Sequence, residues 1–422
     1  MFQTVKGTYD ILPEMYQKFD KVQDLFRNFL DLYDYKLLKT PIFEYTGVFQ
    51  KENDTSDMVT KEMYSFSPNG KDSYTLRPEG TAGTIRSVVE NKLYCTNELP
   101  LKLAYIGEMF RHERPQKGRQ RQFTQMGVEC LGEKSPLLDA ETIALGYFFI
   151  KALGLNSIKV EINTLGDAQS RLAYKEALKA YFAAYRANLC HDCQQRLDKN
   201  PLRILDCKID GNQDFVKNAP KMQDYLSQEA KAYFAQVLNY LDVLKIPYEI
   251  APSLVRGLDY YTDTVFEVVS TRSESGSQAT IFGGGRYDNL VKEMGGIELS
   301  GFGFAIGVER LIILGEAEGI FEEYKPDLDA YIVDLSGGSD YVLALAQLLR
   351  NNGFRCELNV YRRSLKAQFK SSERKNARFV LIVGEDEVLS KTVNVKDTLT
   401  KQQQTVAVAE VIEYLDKHME EM

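Results

Sequence analysis

Apolar residues recur at helical spacing across residues 14–35, where Met15, Phe19, Val22, Phe26, Leu30 and Leu32 predict one long amphipathic helix. The next stretch, KLLKTPIFEYTGVF, has strand texture, with Pro41 placed as prolines are on edges and at bulges. Residues 101–110 and 122–132 both read as strands. The run that joins them contains Pro115 and Gly118, which predicts a hairpin loop rather than a helix. From about 167 to 245 the texture turns helical, in RLAYKEALKAYFAAYRANL and SQEAKAYFAQVLNYLDVL, and predicts a helical insertion in a β-rich unit. Strand texture resumes at YEIAPSLVRGLDYYTDTVFEVVS and at QATIFGGGRYDNL. GFGFAIGVERLIILGEAE then reads as a glycine-rich strand running into a helix. Beyond a linker marked by Pro326, strand and helix patterns alternate β-α-β-α-β through RFVLIVG. That alternation predicts a separate α/β domain over 326–422, after a first domain over 1–325.

At 422 residues the chain exceeds one ordinary core, in keeping with two or three domains. Its formal net charge of -8 argues against wholesale coating of nucleic acid or membrane, so any polyanion must be met by local patches. One such patch is residues 111–121, RHERPQKGRQR, in which five of eleven residues are Arg or Lys and only Glu113 is acidic. Read alone, this is a solvated basic loop; flanked by two strands, it suits a phosphate-bearing ligand gripped by forked Arg donors. In the same reading Arg111 stands opposite Glu129 on the returning strand, a cross-strand ion pair. Arg256, Asp259, Tyr260 and Tyr261 fall within six residues, and on a strand alternate members would share a face. Arg310 projects from the start of the helix after GFGFAIG. No GxxxxGK[ST] occurs, which excludes a P-loop protein.

The opening MFQTVKGTYDILP has no apolar core of a signal peptide, and no run of eighteen apolar residues occurs. Six scattered cysteines suggest reduced thiols, so the expected location is cytoplasmic, with no membrane partner. Cys190-His191-Asp192-Cys193, with Cys207 following, imitates a zinc knuckle. The fourth ligand in this reading is His191 or Asp192, cramped between the cysteine pair, whereas structural zinc usually draws on two separated pairs. The expectation is therefore thiols on a helix surface and no metal.

Taken together, these stretches resemble the three signature motifs of class II aminoacyl-tRNA synthetases. They are a proline-bearing strand after a long helix (Pro41), an Arg–loop–Phe hairpin (Arg111 to Phe123), and a glycine-rich strand before an Arg-bearing helix (Gly307-Val308-Glu309-Arg310). LVRGLDYY and GGGRYD are similar to the peptides that mark histidyl-tRNA synthetases. TLRPEGTAG, KEMYSF and the tail SLKAQFKSSERKNARFVLIVGEDE match that family too, so the resemblance covers essentially the whole chain.

The resemblance implies an α+β catalytic domain with a mainly antiparallel sheet, a helical insertion, and a C-terminal α/β anticodon-binding domain. It implies activation of L-histidine by ATP, with Mg2+ on the phosphates, and transfer to tRNA(His). By resemblance Arg111 grips the α-phosphate, Arg310 the γ-phosphate and Arg256 the far side of the α-phosphate. Phe123 stacks under adenine and Glu113 meets its amino group. Histidine is assigned to Glu79, Gly80, Thr81, Arg111, Gln125, Glu129, Arg256, Tyr260 and Tyr261. Among these, Glu79, Thr81 and Gln125 accept from the ammonium, while Glu129 and Tyr261, with Tyr260 beside them, face the imidazole, which offers one donor and one acceptor. A homodimer is implied, with residues 36–50 as its interface. A second basic patch, Arg362, Arg363, Lys366, Lys370, Arg374, Lys375 and Arg378 against the single acid Glu373, becomes an anticodon-stem contact. The alternatives are a histidine-binding regulatory paralogue of ATP phosphoribosyltransferase and a pure tRNA-binding module. The first lacks the anticodon domain and typically the RGLDYY arginine, and this chain keeps both.

Overall fold

The computed structural model describes residues 2–50, 57–96, 98–115, 118–207, 209–255, 260–272, 280–321, 328–337, 340–359 and 364–420. Packing divides the chain into two compact units, Met1–Glu322 and Glu323–Met422. Pro326, the marker of the linker, lies outside the described residues.

The strands of the first unit, in chain order, are β1 (Lys36–Leu37), β2 (Phe43–Tyr45), β3 (Tyr64–Phe66), β4 (Tyr74–Leu76), β5 (Leu101–Phe110), β6 (Gln122–Gly132), β7 (Ile158–Thr164), β8 (Tyr248–Ile250), β9 (Thr262–Ser270), β10 (Thr280–Tyr287) and β11 (Ser300–Gly307). The large sheet runs β1-β5-β6-β11-β10-β9-β7-β8, antiparallel except for the parallel pairs at its two edges, β1 with β5 and β7 with β8. The sheet is mainly antiparallel, as the resemblance implied.

One face is covered by the helices Pro13–Leu32, Pro136–Leu153 and Gln228–Val243. The N-terminal helix buries Phe19, Val22, Phe26 and Leu30, a three-to-four-residue period that lays one stripe on the sheet. Leu32, assigned to that stripe from the sequence, is 77% exposed, because it ends the helix and falls off the packed side. Behind the sheet Arg286 and Asp139, both fully buried, form an ion pair, and each is shared with further partners: Arg286 with Ser300 and Asp288, Asp139 with Tyr233.

Two stretches depart from the sequence reading. KLLKTPIFEYTGVF is not one strand: it splits around Pro41 into β1, on the edge of the large sheet, and β2, in a separate small sheet of order β2-β4-β3. Proline lacks the N–H that a continuous ladder needs. Strand β9 begins at Thr262, so Tyr260 and Tyr261 precede it and the alternating-face argument does not hold for these two. Arg256 to Asp259 lie outside the described residues. The helices between Ala168 and Tyr225 enclose their own core, in which Tyr174, Leu178, Phe182, Leu197 and Ile204 pack with Val255, Tyr261 and Val265 from the sheet side.

The second unit holds β12 (Ala330–Asp334), β13 (Cys356–Leu358), β14 (Phe379–Val383), β15 (Thr392–Asp397) and β16 (Gln403–Ala407), in order β13-β12-β14-β15-β16. The first three are parallel, with helices Asp340–Asn351 and Leu365–Arg374 in the connections; β15 and β16 add an antiparallel hairpin. The basic patch is smaller than its sequence suggests. Lys375 is ion-paired with Glu357 and Arg378 with Asp397, while Lys366, Lys370 and Arg374 are exposed. Arg362 and Arg363 lie outside the described residues.

Candidate active site

The open face of the large sheet carries a cavity of about 380 Å³. Its floor is β6, β10 and β11, whose small residues Gly283, Gly303, Ala305 and Gly307 leave the backbone bare. The β5–β6 hairpin, the loop before the helix Thr81–Glu90, and the start of the helix Val308–Ala317 supply its walls.

At one end lies a pocket of buried carboxylates and phenols. Glu129, on β6, is 1% exposed. The Thr81 hydroxyl donates to its Oε1 at 2.6 Å and the Tyr287 hydroxyl donates to its Oε2. Burial raises its pKa to about 8, against those two hydrogen bonds, and the nearby Glu79 adds to the rise. Glu79 accepts from the amides of Thr81 and Ala82, both at 2.7 Å, and so caps the helix Thr81–Glu90. Burial raises its pKa too, with those amides opposing.

The Gly80 amide donates to Gln125 Oε1 at 3.1 Å. A side chain at position 80 would strike the Tyr105 ring, 2.1 Å from an ideal Cβ, which is why the chain turns there on glycine. Tyr260 stacks obliquely on Tyr261 (centroids 4.8 Å) and edge-on against Tyr287 (5.8 Å), closing this end. Glu79, Thr81, Gln125, Glu129, Tyr260 and Tyr261, distant in sequence, therefore line one polar chamber; Gly80 is the turn that shapes it.

The other end is cationic. Arg111 does not face Glu129, as the sequence reading had it. Glu129 pairs across β5 with Leu103, and Arg111 lies beyond the last strand pair, its amide on the Arg121 carbonyl. The hairpin is long enough to separate the two residues by most of its length. The Arg111 guanidinium instead donates to the Pro78 carbonyl at 2.8 Å and sits 5.2 Å from the centre of the Phe123 ring. Glu113 takes a hydrogen bond from Arg119 at 3.2 Å and lies 3.9 Å from Arg111. Arg310, in the first turn of its helix, donates to the Thr280 carbonyl at 2.6 Å. Its pKa is lowered by burial, then by Arg119 and Arg111, against the pull of Glu113 and Glu267. Three guanidiniums crowd this end, an arrangement that an anion relieves.

Sequence reasoning assigned no role to Glu309, Glu267, Tyr287 or Arg203, and placed Arg119 only within the basic run; all five line the cavity. Glu309 accepts from the Thr124 amide at 2.7 Å; its second oxygen is buried without a hydrogen-bond partner, and burial raises its pKa to about 7. Tyr287 and Glu309 stand inside quoted motifs, GGGRYD and VERL, and the motif positions alone were signal enough. Arg203 comes from the helical insertion, where no local pattern points at the sheet.

The thiols are also placed differently from the expectation. Cys193 and Cys207 are buried and Cys190 is half-buried, so none of the three is a helix-surface thiol. They gather with Asp210, a residue the sequence reading did not consider.

Residues 7–311 match the family model described as histidyl-tRNA synthetase, and residues 329–418 match an anticodon binding domain. The chain is 46% identical over 415 residues, 98% of each protein, to a protein of Bacillus cytotoxicus named histidine–tRNA ligase. Its fold matches the crystal structure of apo S. aureus histidyl-tRNA synthetase with a TM-score of 0.84 at 38% identity, covering 98% of this chain and 100% of that one. It also matches a Bacillus halodurans structure described as an ATP phosphoribosyltransferase regulatory subunit/histidyl-tRNA synthetase. There the TM-score is 0.62 at 23% identity, over 90% of this chain and 98% of that one, a likeness of fold.

Proposed function

The chain belongs to the histidyl-tRNA synthetase family, and on that premise we propose how its cavity divides the work of the reaction. It is a class II aminoacyl-tRNA synthetase that activates L-histidine with ATP and charges tRNA(His), rather than a regulatory paralogue. A carboxylate oxygen of histidine attacks the α-phosphorus and pyrophosphate leaves. The terminal ribose hydroxyl of the tRNA then attacks the acyl carbon and AMP leaves. The first step asks the protein for positioning and charge neutralisation, and the second also releases the proton of the ribose hydroxyl to solvent.

The observation that carries the division is the split of the cavity into a carboxylate–phenol end and a guanidinium end on one bare strand floor. Histidine takes the first. Glu129 accepts from the ring N–H, and Tyr261, with Tyr260, meets the other ring nitrogen. Glu79, Thr81 and Gln125 receive the ammonium. A chamber of paired polar groups discriminates strongly against isosteres that leave those groups unpaired. ATP takes the second. Phe123 is the ring for adenine and Glu113 the acceptor for its amino group. Arg111 holds the α-phosphate and Arg310 the γ-phosphate. To Arg256, by the family resemblance, falls the stabilisation of the charge that builds on the α-phosphate.

Magnesium accompanies ATP. Glu309, whose Oε2 is buried without a hydrogen-bond partner, and Glu267, both lining the cavity, are the oxygen donors that would hold such a hard cation. That ion would neutralise phosphate charge; the protein's own part is to hold the two carboxylates in place through the Thr124 amide and the Thr280 hydroxyl.

Two further assignments rest on this reading. The small sheet β2-β4-β3 exposes Phe43, Tyr45 and Phe66 around Tyr74, with Tyr45 62% exposed, and a second copy of the chain would cover these rings as a homodimer. No helix among the described residues is long and apolar enough to cross a membrane, and the cytoplasm, where tRNA is charged, is the expected compartment.

The test is histidine-dependent pyrophosphate exchange with wild type and Arg256→Ala. Loss of a fixed charge at the transition state is expected to slow adenylate formation by roughly 10²–10³-fold. An unchanged exchange rate would remove Arg256 from the mechanism.

A further inference from the structure

The helical insertion is where the fold places a chemistry that the charging reaction does not use. Cys190, Cys193, Cys207 and Asp210 each offer one ligand atom, and the four atoms lie within 4.8 Å of one another. They come in two pairs of the same spacing, Cys-x-x-Cys and Cys-x-x-Asp, with residues 194–206 between them. Two separated pairs of ligands are what structural zinc sites use. The second pair is hard to see in the sequence because its last member is a carboxylate.

The local structure aims each pair inward. Cys190 precedes the helix His191–Lys199 and Cys193 lies in its first turn, so both sulfurs sit at one helix end. After the short helix Leu202–Leu205 the chain turns back on itself, with the Gly211 amide donating to the Cys207 carbonyl at 2.7 Å. The Asp210 amide donates to Cys207 Sγ at 3.4 Å, and the Cys190 amide donates to Asp210 Oδ2 at 3.0 Å. Amide donors of this kind fix the orientation of ligands from outside the coordination shell.

The Cys190 and Cys207 sulfurs are 3.8 Å apart. Zinc–sulfur bonds of about 2.3 Å at a tetrahedral centre put sulfurs about 3.8 Å from one another. A disulfide needs about 2.05 Å. Asp210 is 3% exposed and is held inside the cluster by the hydrogen bond it takes from the Cys190 amide. Cys190, half-buried, leaves the ion a way in.

We propose that Cys190, Cys193, Cys207 and Asp210 are a structural zinc site, binding one ion per chain. Each thiol releases its proton to solvent as its sulfur takes the metal, and Asp210 binds as the carboxylate. All four positions are filled by the protein, so the ion is a clamp and has no open site for chemistry. What it clamps bears on the cavity. The segment between the pairs carries Arg203 to the cavity wall, and Cys193 and Cys207 belong to the same core as Tyr261.

The test uses the full chain, purified under reducing conditions without chelator. Metal analysis is expected to find about one zinc per chain. After removal of the metal, titration with Co2+ is expected to give the sulfur-to-cobalt charge-transfer band and the intense visible bands of a tetrahedral thiolate site, saturating at one equivalent and bleached by zinc. Asp210→Asn, which keeps a neutral acceptor for the Cys190 amide, should weaken zinc binding by roughly tenfold or more. Cys95→Ser, at an exposed cysteine outside the cluster, should leave the titration unchanged. A chain isolated without zinc whose Co2+ spectrum shows no thiolate band would overturn the proposal. So would a Cys190–Cys207 disulfide in the freshly isolated reduced protein, found by peptide mass mapping.

Discussion

Glu129 and Gly303 are directly paired across β6 and β11, and an ideal Cβ on Gly303 would fall 2.1 Å from Glu129 Oε2 and 2.4 Å from the Val128 carbonyl. The carboxylate lies over the space that the missing side chain leaves. Gly303→Ala is therefore expected to displace Glu129, since the backbone oxygen beside it cannot give way. Overpacking of this sort costs about 1–3 kcal/mol of stability. If the assignment of Glu129 is right, the KM for histidine rises more than that for ATP. Equal changes in both, or none, would separate Gly303 from histidine recognition.

Glu129→Gln removes the ionisable carboxyl and keeps the shape. Loss of the acceptor for the imidazole N–H in a buried site costs about 1–3 kcal/mol. Steady-state kinetics should show the histidine KM raised by roughly 5- to 100-fold with ATP little affected. Parallel rises for both substrates would count against the role.

The free enzyme should lose stability as the pH rises. Folded Glu129 holds its proton to a pKa of about 8 and folded Glu309 to about 7, both through burial, whereas in the unfolded chain they ionise near 4.3. Between those limits the folded state binds more protons than the unfolded state, so their contribution is full below about pH 4 and declines as the pH rises toward 8. Thermal unfolding from pH 5 to 9 should show this decline, and Glu129→Gln should flatten it. A Glu129→Gln variant with an undiminished pH slope would refute the buried-carboxyl account.

Dividing the chain between the two compact units should divide its two tasks. The adenylate-forming residues assigned above precede residue 311, and Lys366, Lys370 and Arg374 lie on an exposed face of the second unit. A folded N-terminal piece, checked by circular dichroism and sizing, is expected to retain pyrophosphate exchange and to charge tRNA poorly. The salt dependence of its tRNA binding should flatten by a slope of roughly 0.7–0.9 for each phosphate contact removed. Undiminished affinity and slope would return the basic helix to a solvated face.

Much of the fold was written in local pattern. The apolar spacing of Phe19, Val22, Phe26 and Leu30 announces a helix on a core because a 3.6-residue period brings those positions to one side. Strands β5 and β6 coincide with the stretches read as strands, and the α/β alternation after residue 328 is evident from period alone. The motif peptides around Arg111, Phe123 and Arg310 were enough to point to the family.

Other relationships exist only once the chain has folded, because they join residues that no periodicity relates. Glu129, Thr81 and Tyr287 meet from three elements, and the rise in the Glu129 pKa comes from burial that composition does not reveal. Arg111 looked like a partner for Glu129, but the pairing of a long hairpin put Leu103 there instead. Lys375 and Arg378 counted as free cations until Glu357 and Asp397 arrived from β13 and β15. Asp210 joined the cysteines for the same reason. Sequence by itself determines the local periods and the identity of the chemical groups. Which of those groups share a buried volume, and so change one another's charge, is decided by tertiary contact, because Coulomb and desolvation energies depend on distance in space and not along the chain.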